Sequence, residues 1–289
     1  MTAWPDFLEA LDTVLSSIPP GMAATPGDIA RALGDPLAAR AVPATARRLG
    51  RGNVVRRRDD DRPPLVGPTD LRTSPLLREL REEQTALAAR VDLHAPPDLP
   101  MDRIYGTDAA YLEIDGREMG IGVLVEVSAE GVRRWHYVAE VRFPYVPTYL
   151  TYREAPLLAP LLTEHRPPGP VLVEGNGILH HRGVGLASHL GVITGTVTIG
   201  VAKSLLVGGP REGEGTWPVH VDGRHVGWGV RMGRRTLYVS PGHRMDLEGA
   251  RDIAAEVLAD QDPIRLAHRH AAEVKRTIRG AGDARPLGG

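Results

Sequence analysis

The chain has 289 residues, of which 42% are hydrophobic and 25% charged, and its formal net charge is −1. These values are typical of a folded protein of one large or two modest domains, and they exclude a basic field over the whole surface. The absence of cysteine excludes disulfides, thiolate metal ligands and cysteine nucleophiles. With no signal peptide and no apolar run near the ~18 residues of a membrane span, we expect a soluble cytoplasmic protein without a membrane partner.

The first 62 residues are predicted to form a small helical domain. Apolar residues share one helical face from Phe7 to Leu15. The stretch "TPGDIARALG" starts with the capping residue Thr25 and stops at Gly34, and "DPLAARAVPATARRLG" is predicted as a second short helix. Two short helices joined by a tight turn are typical of a helix-turn-helix, although any small helical bundle accounts for the pattern equally well.

Arginines are concentrated directly after these helices, and three of them are consecutive, Arg56, Arg57 and Arg58. A run of charges is usually just a solvated surface. Here it follows a candidate recognition helix, where contacts to nucleic-acid phosphates are needed, so we expect phosphate binding. The next stretch, residues 63–75, contains four prolines and is predicted as a linker to a second domain of residues 76–289.

The second domain has the pattern of an α/β protein. It opens with the amphipathic helix "PLLRELREEQTALAARV", followed by three strand-like segments that predict an antiparallel meander. A helix near 151–164, the strand "VLVEG", a helix near 184–190 and the strand "VTIGVA" follow. Two strand-like runs, "WPVHVDGRHVGWGVRM" and "RTLYVSPG", precede a last helix near 247–258. The alternation predicts a mixed sheet flanked by helices.

Three carboxylates lie where a structural role is hard to find. Asp108 interrupts the first strand, Glu154 follows a loop, and Glu174 ends a buried strand. Each alone is more often a cap, an ion pair or an exposed acid. Together, in a chain without thiolates, they indicate oxygen ligands for a hard cation such as Mg²⁺. Lys203 and His243 lie at two further strand ends, and acids with a metal and a lysine suit phosphodiester hydrolysis.

The second domain resembles the endonuclease V family of repair nucleases over about residues 76–265. Five motifs occur in the same order: "YGTDAAY", "PYVPTYLTYRE", "LVEGNGILHHRGVGLASHLGV", "TIGVAKSLLVG" and "SPGH". The resemblance implies a ribonuclease-H-like fold and a nick that depends on Mg²⁺, with Mn²⁺ as a substitute. The cut would fall at the second phosphodiester bond 3′ of deoxyinosine in duplex or single-stranded DNA, leaving a 3′-hydroxyl and a 5′-phosphate.

The same resemblance implies roles for individual residues. The catalytic positions are matched by Asp108, Glu154, Glu174, Lys203 and His243, of which the acids and the histidine would be metal ligands. The wedge loop, which would enter the duplex beside the lesion, is matched by Pro144, Tyr145, Val146 and Pro147. The loop histidine is matched by His180, and the candidates for the pocket of the flipped base are Gly177 and Gly200.

Three residues depart from the pattern of the family. Glu174 stands where the family has aspartate, and this change bears on the geometry of the metal site. Thr148 stands where the wedge loop usually ends in glycine. His181 replaces the proline that usually follows the loop histidine. The last two changes bear on the shape of the loops.

The N-terminal stretch "IPPGMAATPGDIARALGDPLAARAV" resembles the helix-turn-helix of the alkylguanine transferase and alkyltransferase-like proteins. Arg40 falls at the position of the arginine that fills the gap left by a flipped base in those proteins. Pro26 stands where they have a phosphate-turning tyrosine, and the motif with the active-site cysteine is missing. The resemblance implies a winged helix-turn-helix-like domain that binds duplex DNA.

Two other functions remain open at this point. An inosine-specific ribonuclease would share the same motifs, and inosine-containing RNA is then the partner. A lesion-binding protein that no longer cuts would follow if Glu174 were a lost ligand. The oligomeric state is left open by the sequence.

Overall fold

The computed structural model describes residues 4–55, 63–208 and 215–283. In its N-terminal part lie α1 (Phe7–Leu15), α2 (Pro26–Ala32), a 3₁₀ turn (Pro36–Arg40) and α3 (Val42–Arg48). The predicted second helix is therefore divided into the 3₁₀ turn and α3. Pro43 lacks the N–H that would continue a helix and stands in the first turn of α3, where no such donor is needed.

A first compact unit is formed by the described parts of Met1–Glu83, Ile114–Glu118 and Glu140–Arg153. A 3₁₀ turn (Pro68–Asp70) and α4 (Leu76–Ala88) follow the N-terminal helices. The predicted linker contributes Val66 and Leu71 to the buried core of this unit. The segment packs on the helices because its apolar residues find a core, and the compact unit extends past residue 62, the predicted end of the N-terminal domain.

The wedge loop belongs to this first unit. The core of the unit joins the N-terminal helices to four buried residues that flank or form the loop: Phe143, Val146, Tyr149 and Tyr152. Phe143 packs edge to face on Phe7, with ring centroids 5.3 Å apart. Tyr145 stays 60% exposed. Thr148 adopts φ +69°, in the left-handed region that favours glycine, which gives a backbone reason for the glycine usual at this position.

The second unit comprises the described parts of Gln84–Glu113, Met119–Ala139 and Glu154–Gly289. The strands are β1 (Arg103–Ile114), β2 (Arg117–Ser128), β3 (Gly131–Glu140), β4 (Val171–Glu174), β5 (Thr198–Ala202), β6 (Thr216–Val221), β7 (Arg224–Met232) and β8 (Arg235–His243). They form one eight-stranded sheet in the order β3-β2-β1-β4-β5-β8-β7-β6.

The sheet is mixed. Strands β1, β4 and β5 are parallel neighbours, whereas β8 runs antiparallel to β5 and to β7, and β7 runs antiparallel to β6. Two-residue connections join β1 to β2 and β2 to β3, as the predicted meander requires. The helices that flank the sheet are α5 (Leu150–His165), α6 (Leu186–Thr194), α7 (Leu247–Ala259) and α8 (Pro263–Asp283). The predicted α/β fold class is confirmed.

Two elements of the second unit differ from the prediction. The run "WPVHVDGRHVGWGVRM" is two strands, because Asp222 and Gly223 both adopt positive φ and make a tight hairpin turn. Helix α8 was not predicted. Its buried residues Ala267, Ala271 and Val274 recur at helical spacing, so the pattern was present but was hidden by many charged residues. No helix among the described residues is long and apolar enough to cross a membrane.

Candidate active site

Two carboxylates meet on neighbouring parallel strands, one at the carboxyl end of β4 and one in the middle of β1. Glu174 is the last residue of β4 and pairs with Val201 of β5. Thr107 of β1 pairs with Val173 of β4, so Asp108 lies level with Glu174 on the neighbouring strand. The carboxyl edge of such a sheet is where ligands bind. The structure therefore brings together two of the predicted metal ligands.

The electrostatics of this pair are unfavourable without a cation. Asp108 is only 7% exposed. Burial and the negative charge of Glu174, opposed by the hydrogen bond with His268, raise the pKa of Asp108 to about 6. Two adjacent carboxylates that repel each other are stabilised by a divalent cation, so the site suits a metal ion.

His268, which none of the sequence motifs indicated, contacts one of the two carboxylates. Nδ1 of His268 lies 2.9 Å from Oδ2 of Asp108, and the side chain of His268 is 67% exposed. Helix α8 starts directly against β1: a Cβ on Gly106 would lie 2.4 Å from the carbonyl carbon of Pro263. Only a glycine permits this approach, which carries His268, five residues later, to Asp108.

Lys203 lies one residue after β5 and contacts the second carboxylate. Its Nζ is 2.5 Å from Oε1 of Glu174. The other oxygen of Glu174, Oε2, is buried and accepts no hydrogen bond from any described residue. Leaving a buried carboxylate oxygen without a donor costs free energy, so this atom is a natural position for a cation.

The structure places His243 away from the carboxylate pair. This residue pairs with Thr198 at the start of β5, three residues before Val201, which pairs with Glu174. The rise of a strand separates the two levels by about 10 Å. Nδ1 of His243 accepts a hydrogen bond from the main-chain N–H of Asp92 at 3.1 Å, and burial lowers the pKa of His243. His243 therefore does not lie beside the carboxylates.

Glu154 has a contact of its own. It lies in α5, and its Oε1 accepts a hydrogen bond from the hydroxyl of Tyr111 on β1 at 3.0 Å. Within the described ranges, no three His, Asp or Glu side chains form a group ready to hold a metal. The predicted metal site is therefore supported by the pair of carboxylates on β1 and β4. A role for Glu154 as a metal ligand stays a prediction.

The two predicted pocket glycines are required by the packing of the backbone. A Cβ on Gly177 would overlap the carbonyl oxygen of Pro241, and a Cβ on Gly200 would lie 2.2 Å from the main-chain nitrogen of Gly177. The N–H of Gly177 donates to Ser240 Oγ at 2.9 Å. These contacts explain both glycines without a base, so their role in base binding stays a prediction.

The other residues predicted to contact DNA lie at three separate places in the chain. His180 is buried, and its Nδ1 accepts a hydrogen bond from the main-chain N–H of Arg182 at 3.2 Å. Arg40 is exposed at the end of the 3₁₀ turn that precedes α3. The run of Arg56, Arg57 and Arg58 lies outside the described residues. The DNA contacts proposed for these residues stay predictions.

Known proteins share both this sequence and this fold. The endonuclease V family is matched over residues 85–269. The bifunctional methyltransferase/endonuclease of Picrophilus torridus is 32% identical, over 94% of this chain and 97% of that protein. The crystal structure of endonuclease V from Streptomyces avermitilis has 33% identity and a TM-score of 0.61, over 71% of this chain and 93% of that one. The endonuclease V of Ciona intestinalis shares the fold at 23% identity and a TM-score of 0.60, over 71% and 100%. Because the match to the family covers most of the chain, and the Picrophilus torridus protein matches almost all of it, this protein belongs to the endonuclease V family and is an endonuclease.

Proposed function

We propose that this endonuclease nicks DNA at the second phosphodiester bond 3′ of deoxyinosine, leaving a 3′-hydroxyl and a 5′-phosphate. Family membership supports the substrate, and the Ciona intestinalis protein was crystallised with DNA that contains inosine. One observation supports the chemistry: Asp108 and Glu174 lie level on the neighbouring strands β1 and β4, each hydrogen-bonded to a basic side chain.

The carboxylate pair fits a hard divalent cation, Mg²⁺ with Mn²⁺ as a substitute. Mg²⁺ is usually held by one or two carboxylates and keeps several waters, and Asp108 with Glu174 offers such a set, including the unpartnered Oε2. Glu154 is the candidate for a third ligand. When bound, the cation would neutralise charge on the phosphate and lower the pKa of a bound water.

Lys203 and His268 act on the phosphate from the protein side. The ammonium of Lys203 uses one N–H on Glu174 and keeps two for oxygens of the scissile phosphate, where negative charge grows. The hydrogen bond at Nδ1 orients the ring of His268, so that Nε2 can give a proton to the leaving 3′-oxygen or take one from the attacking water.

A nicking assay tests this function. Duplex DNA with a single deoxyinosine, incubated with Mg²⁺, should be cut on the lesion strand at the second bond 3′ of the lesion, and undamaged duplex should not. Preferential cleavage of a matched RNA would favour an inosine-specific ribonuclease. Tight lesion binding without any cut in Mg²⁺ or Mn²⁺ would favour a lesion-binding protein.

Cation binding should weaken in acid. Because the pKa of Asp108 is raised to about 6 in the metal-free protein, its carboxyl is ionised above this pH and protonated below it. A protonated carboxyl is a poor ligand, so we expect the affinity for Mn²⁺ to fall up to about tenfold per pH unit below pH ~6 and to level off above it. Mn²⁺ binding followed by electron paramagnetic resonance measures this without turnover. Equal affinity at pH ~5 and pH ~7 would contradict the assignment.

Tyr145 should act as the tip of the wedge. It is exposed, whereas the adjacent Val146 is fully buried, so the loop presents the ring on a fixed base. Stacking on a base contributes about 1–3 kcal/mol, and Tyr145→Ala should lower the preference for inosine-containing over undamaged DNA by roughly tenfold. The melting temperature should hardly change. A large drop in melting temperature with unchanged preference would identify Tyr145 as a core residue instead.

We infer that the N-terminal helices bind duplex DNA and transfer no alkyl group. The likeness to the alkyltransferase-like helix-turn-helix supports this role, and the name of the Picrophilus torridus relative includes a methyltransferase. An alkyl acceptor must be a nucleophile, and this chain has no cysteine. Exposed Arg40 is the first residue to test: Arg40→Ala should weaken binding to undamaged duplex, measured by fluorescence anisotropy.

A further inference from the structure

A cleft of about 580 Å³ opens beside the carboxylate pair. Glu174 and Lys203 line it on the side of β4 and β5. The end of α7, the β7–β8 hairpin and the start of α8 line the rest, and the last two contribute four arginines: Arg231, Arg234, Arg235 and Arg265. The hairpin turns tightly at Gly233, which adopts φ +61°, and Arg234 and Arg235 follow this glycine directly. We call this feature the arginine cleft.

The arginine cleft carries an excess of positive charge. All four arginines are exposed, and none of them forms an ion pair with another described residue. The two acids that line the cleft form hydrogen bonds to groups other than the arginine side chains. Glu174 accepts a hydrogen bond from Lys203, and Asp262 caps α8 by accepting one from the main-chain N–H of Arg265. Several guanidinium groups that form no ion pair among the described residues repel each other in one cleft, so an anion stabilises the arrangement.

We propose that the arginine cleft holds the phosphodiester backbone of the DNA strand that is cut. This inference rests on the nuclease function proposed above. Guanidinium groups bind phosphate oxygens through paired hydrogen bonds, and four of them match a run of successive phosphates better than one ion. Since Glu174 lines the same cleft, a strand that lies there runs directly past the carboxylate pair.

Charge-neutral variants test the cleft. The double variant Arg234→Gln and Arg235→Gln should bind inosine-containing duplex about tenfold more weakly at low salt, in anisotropy measurements without divalent metal. The slope of log affinity against log salt should become shallower by nearly 2, since each lost phosphate contact removes about 0.9. The matched control, Arg133→Gln with Arg134→Gln on β3, removes the same charge from an exposed strand and should change the slope far less.

The outcomes separate this inference from the proposed function. An unchanged slope in the cleft variant, or an equal change in the control, would overturn the role of the cleft. If the parent fails to nick inosine-containing DNA, the proposed function fails, and the salt slope still reports on the cleft.

A different set of contacts ties the wedge loop to the N-terminal helices. On one side of the loop, the ring of Phe143 packs on Phe7 of α1. On the other side, the hydroxyl of Tyr149 donates to Oδ2 of the buried Asp35 at 2.6 Å. Val146, within the loop, is fully buried in the same core. Both ends of the loop are thus anchored on residues from the first 35 positions.

We infer that the N-terminal helices hold the wedge loop in the shape that meets the duplex. A loop that is fixed before binding loses little conformational entropy when it inserts, so its anchors contribute to recognition without touching DNA. This positioning role is separate from any contact that the helices themselves make with DNA, and it rests on the wedge role proposed for Tyr145.

Two tyrosine variants test the anchoring. Tyr149→Phe removes the hydrogen bonds of the hydroxyl to Asp35 and to the carbonyl of Leu77, and the main-chain N–H groups of Tyr145 and Val146 should exchange hydrogen several-fold faster, with a several-fold loss of preference for inosine. The control Tyr152→Phe makes the same chemical change where the hydroxyl bonds to α4, and should alter neither measurement. Parent-like exchange in Tyr149→Phe would overturn the inference, and a parent without any preference for inosine would overturn the wedge role alone.

Discussion

Replacing Glu174 by glutamine should abolish nicking and leave the fold intact. The substitution keeps the shape of the side chain but removes the charge that faces Asp108 and Lys203. A cation loses one of its two carboxylates, and Lys203 loses the partner that holds it at the phosphate. We expect the single-turnover rate to fall at least about a hundredfold, as for other losses of charge stabilisation in the transition state.

The measurement needs saturating metal and a separate binding assay. Glu174→Gln should bind inosine-containing duplex as tightly as the parent in the absence of metal, and should melt at a similar temperature. Glu130→Gln, which removes a carboxylate from an exposed turn, is the matched control and should nick normally. A parent-like nicking rate for Glu174→Gln would show that Glu174 is no ligand and that the mechanism is wrong.

Replacing Glu174 by aspartate, the residue usual in the family, should not simply raise the nicking rate. The strand end is fixed, because the N–H of Gly175 donates to the carbonyl of Val201 at 3.0 Å and Gly177 packs against the backbone of Pro241. Glu174→Asp would therefore withdraw the carboxylate by about one C–C bond, ~1.5 Å, and lose the contact with Lys203. The longer arm of the parent makes octahedral geometry harder to reach, so we expect a relative preference for Mn²⁺ over Mg²⁺.

The sequence was sufficient to predict the elements that lead to the carboxylate pair. An apolar run that ends on Glu174 and an aspartate inside the first strand, Asp108, indicate two strands that each contain an acid, and parallel pairing places the two acids level. The sequence could not show in which direction each strand runs within the sheet. His243 also ends a strand, but β8 is antiparallel to β5, so its carboxyl end lies at the opposite edge of the sheet. Direction depends on the pairing of distant segments, which local patterns do not encode.

The organisation of the N-terminal part shows a second limit. Four prolines without periodicity predict residues 63–75 as a linker, but a segment without long helices or strands can still pack. Val66 and Leu71 are buried because the wedge segment and the N-terminal helices together form a core that accepts them. A domain boundary drawn from composition alone cannot reveal that residues more than 70 positions apart, such as Phe7 and Phe143, share one core.

Replacing His268 and His243 separately by alanine should show which histidine takes part in the reaction. His268→Ala should lower the nicking rate about a hundredfold or more, because the ring bonded to Asp108 is placed for proton transfer, which typically contributes at least that factor. His243→Ala should nick within a few-fold of the parent rate, since it lies about three residues along the strands from the carboxylates.

The shape of the pH profile separates a proton-transfer role of His268 from a purely structural one. Loss of a proton donor or acceptor should remove one limb of the pH dependence of the single-turnover rate, whereas loss of packing would lower the rate at every pH alike. His268→Gln, which can still hydrogen-bond to Asp108, should restore stability without restoring the rate. If His243→Ala abolishes nicking and His268→Ala does not, the motif-based assignment of His243 is correct, and the site built on Asp108 and His268 is not the one that cuts DNA.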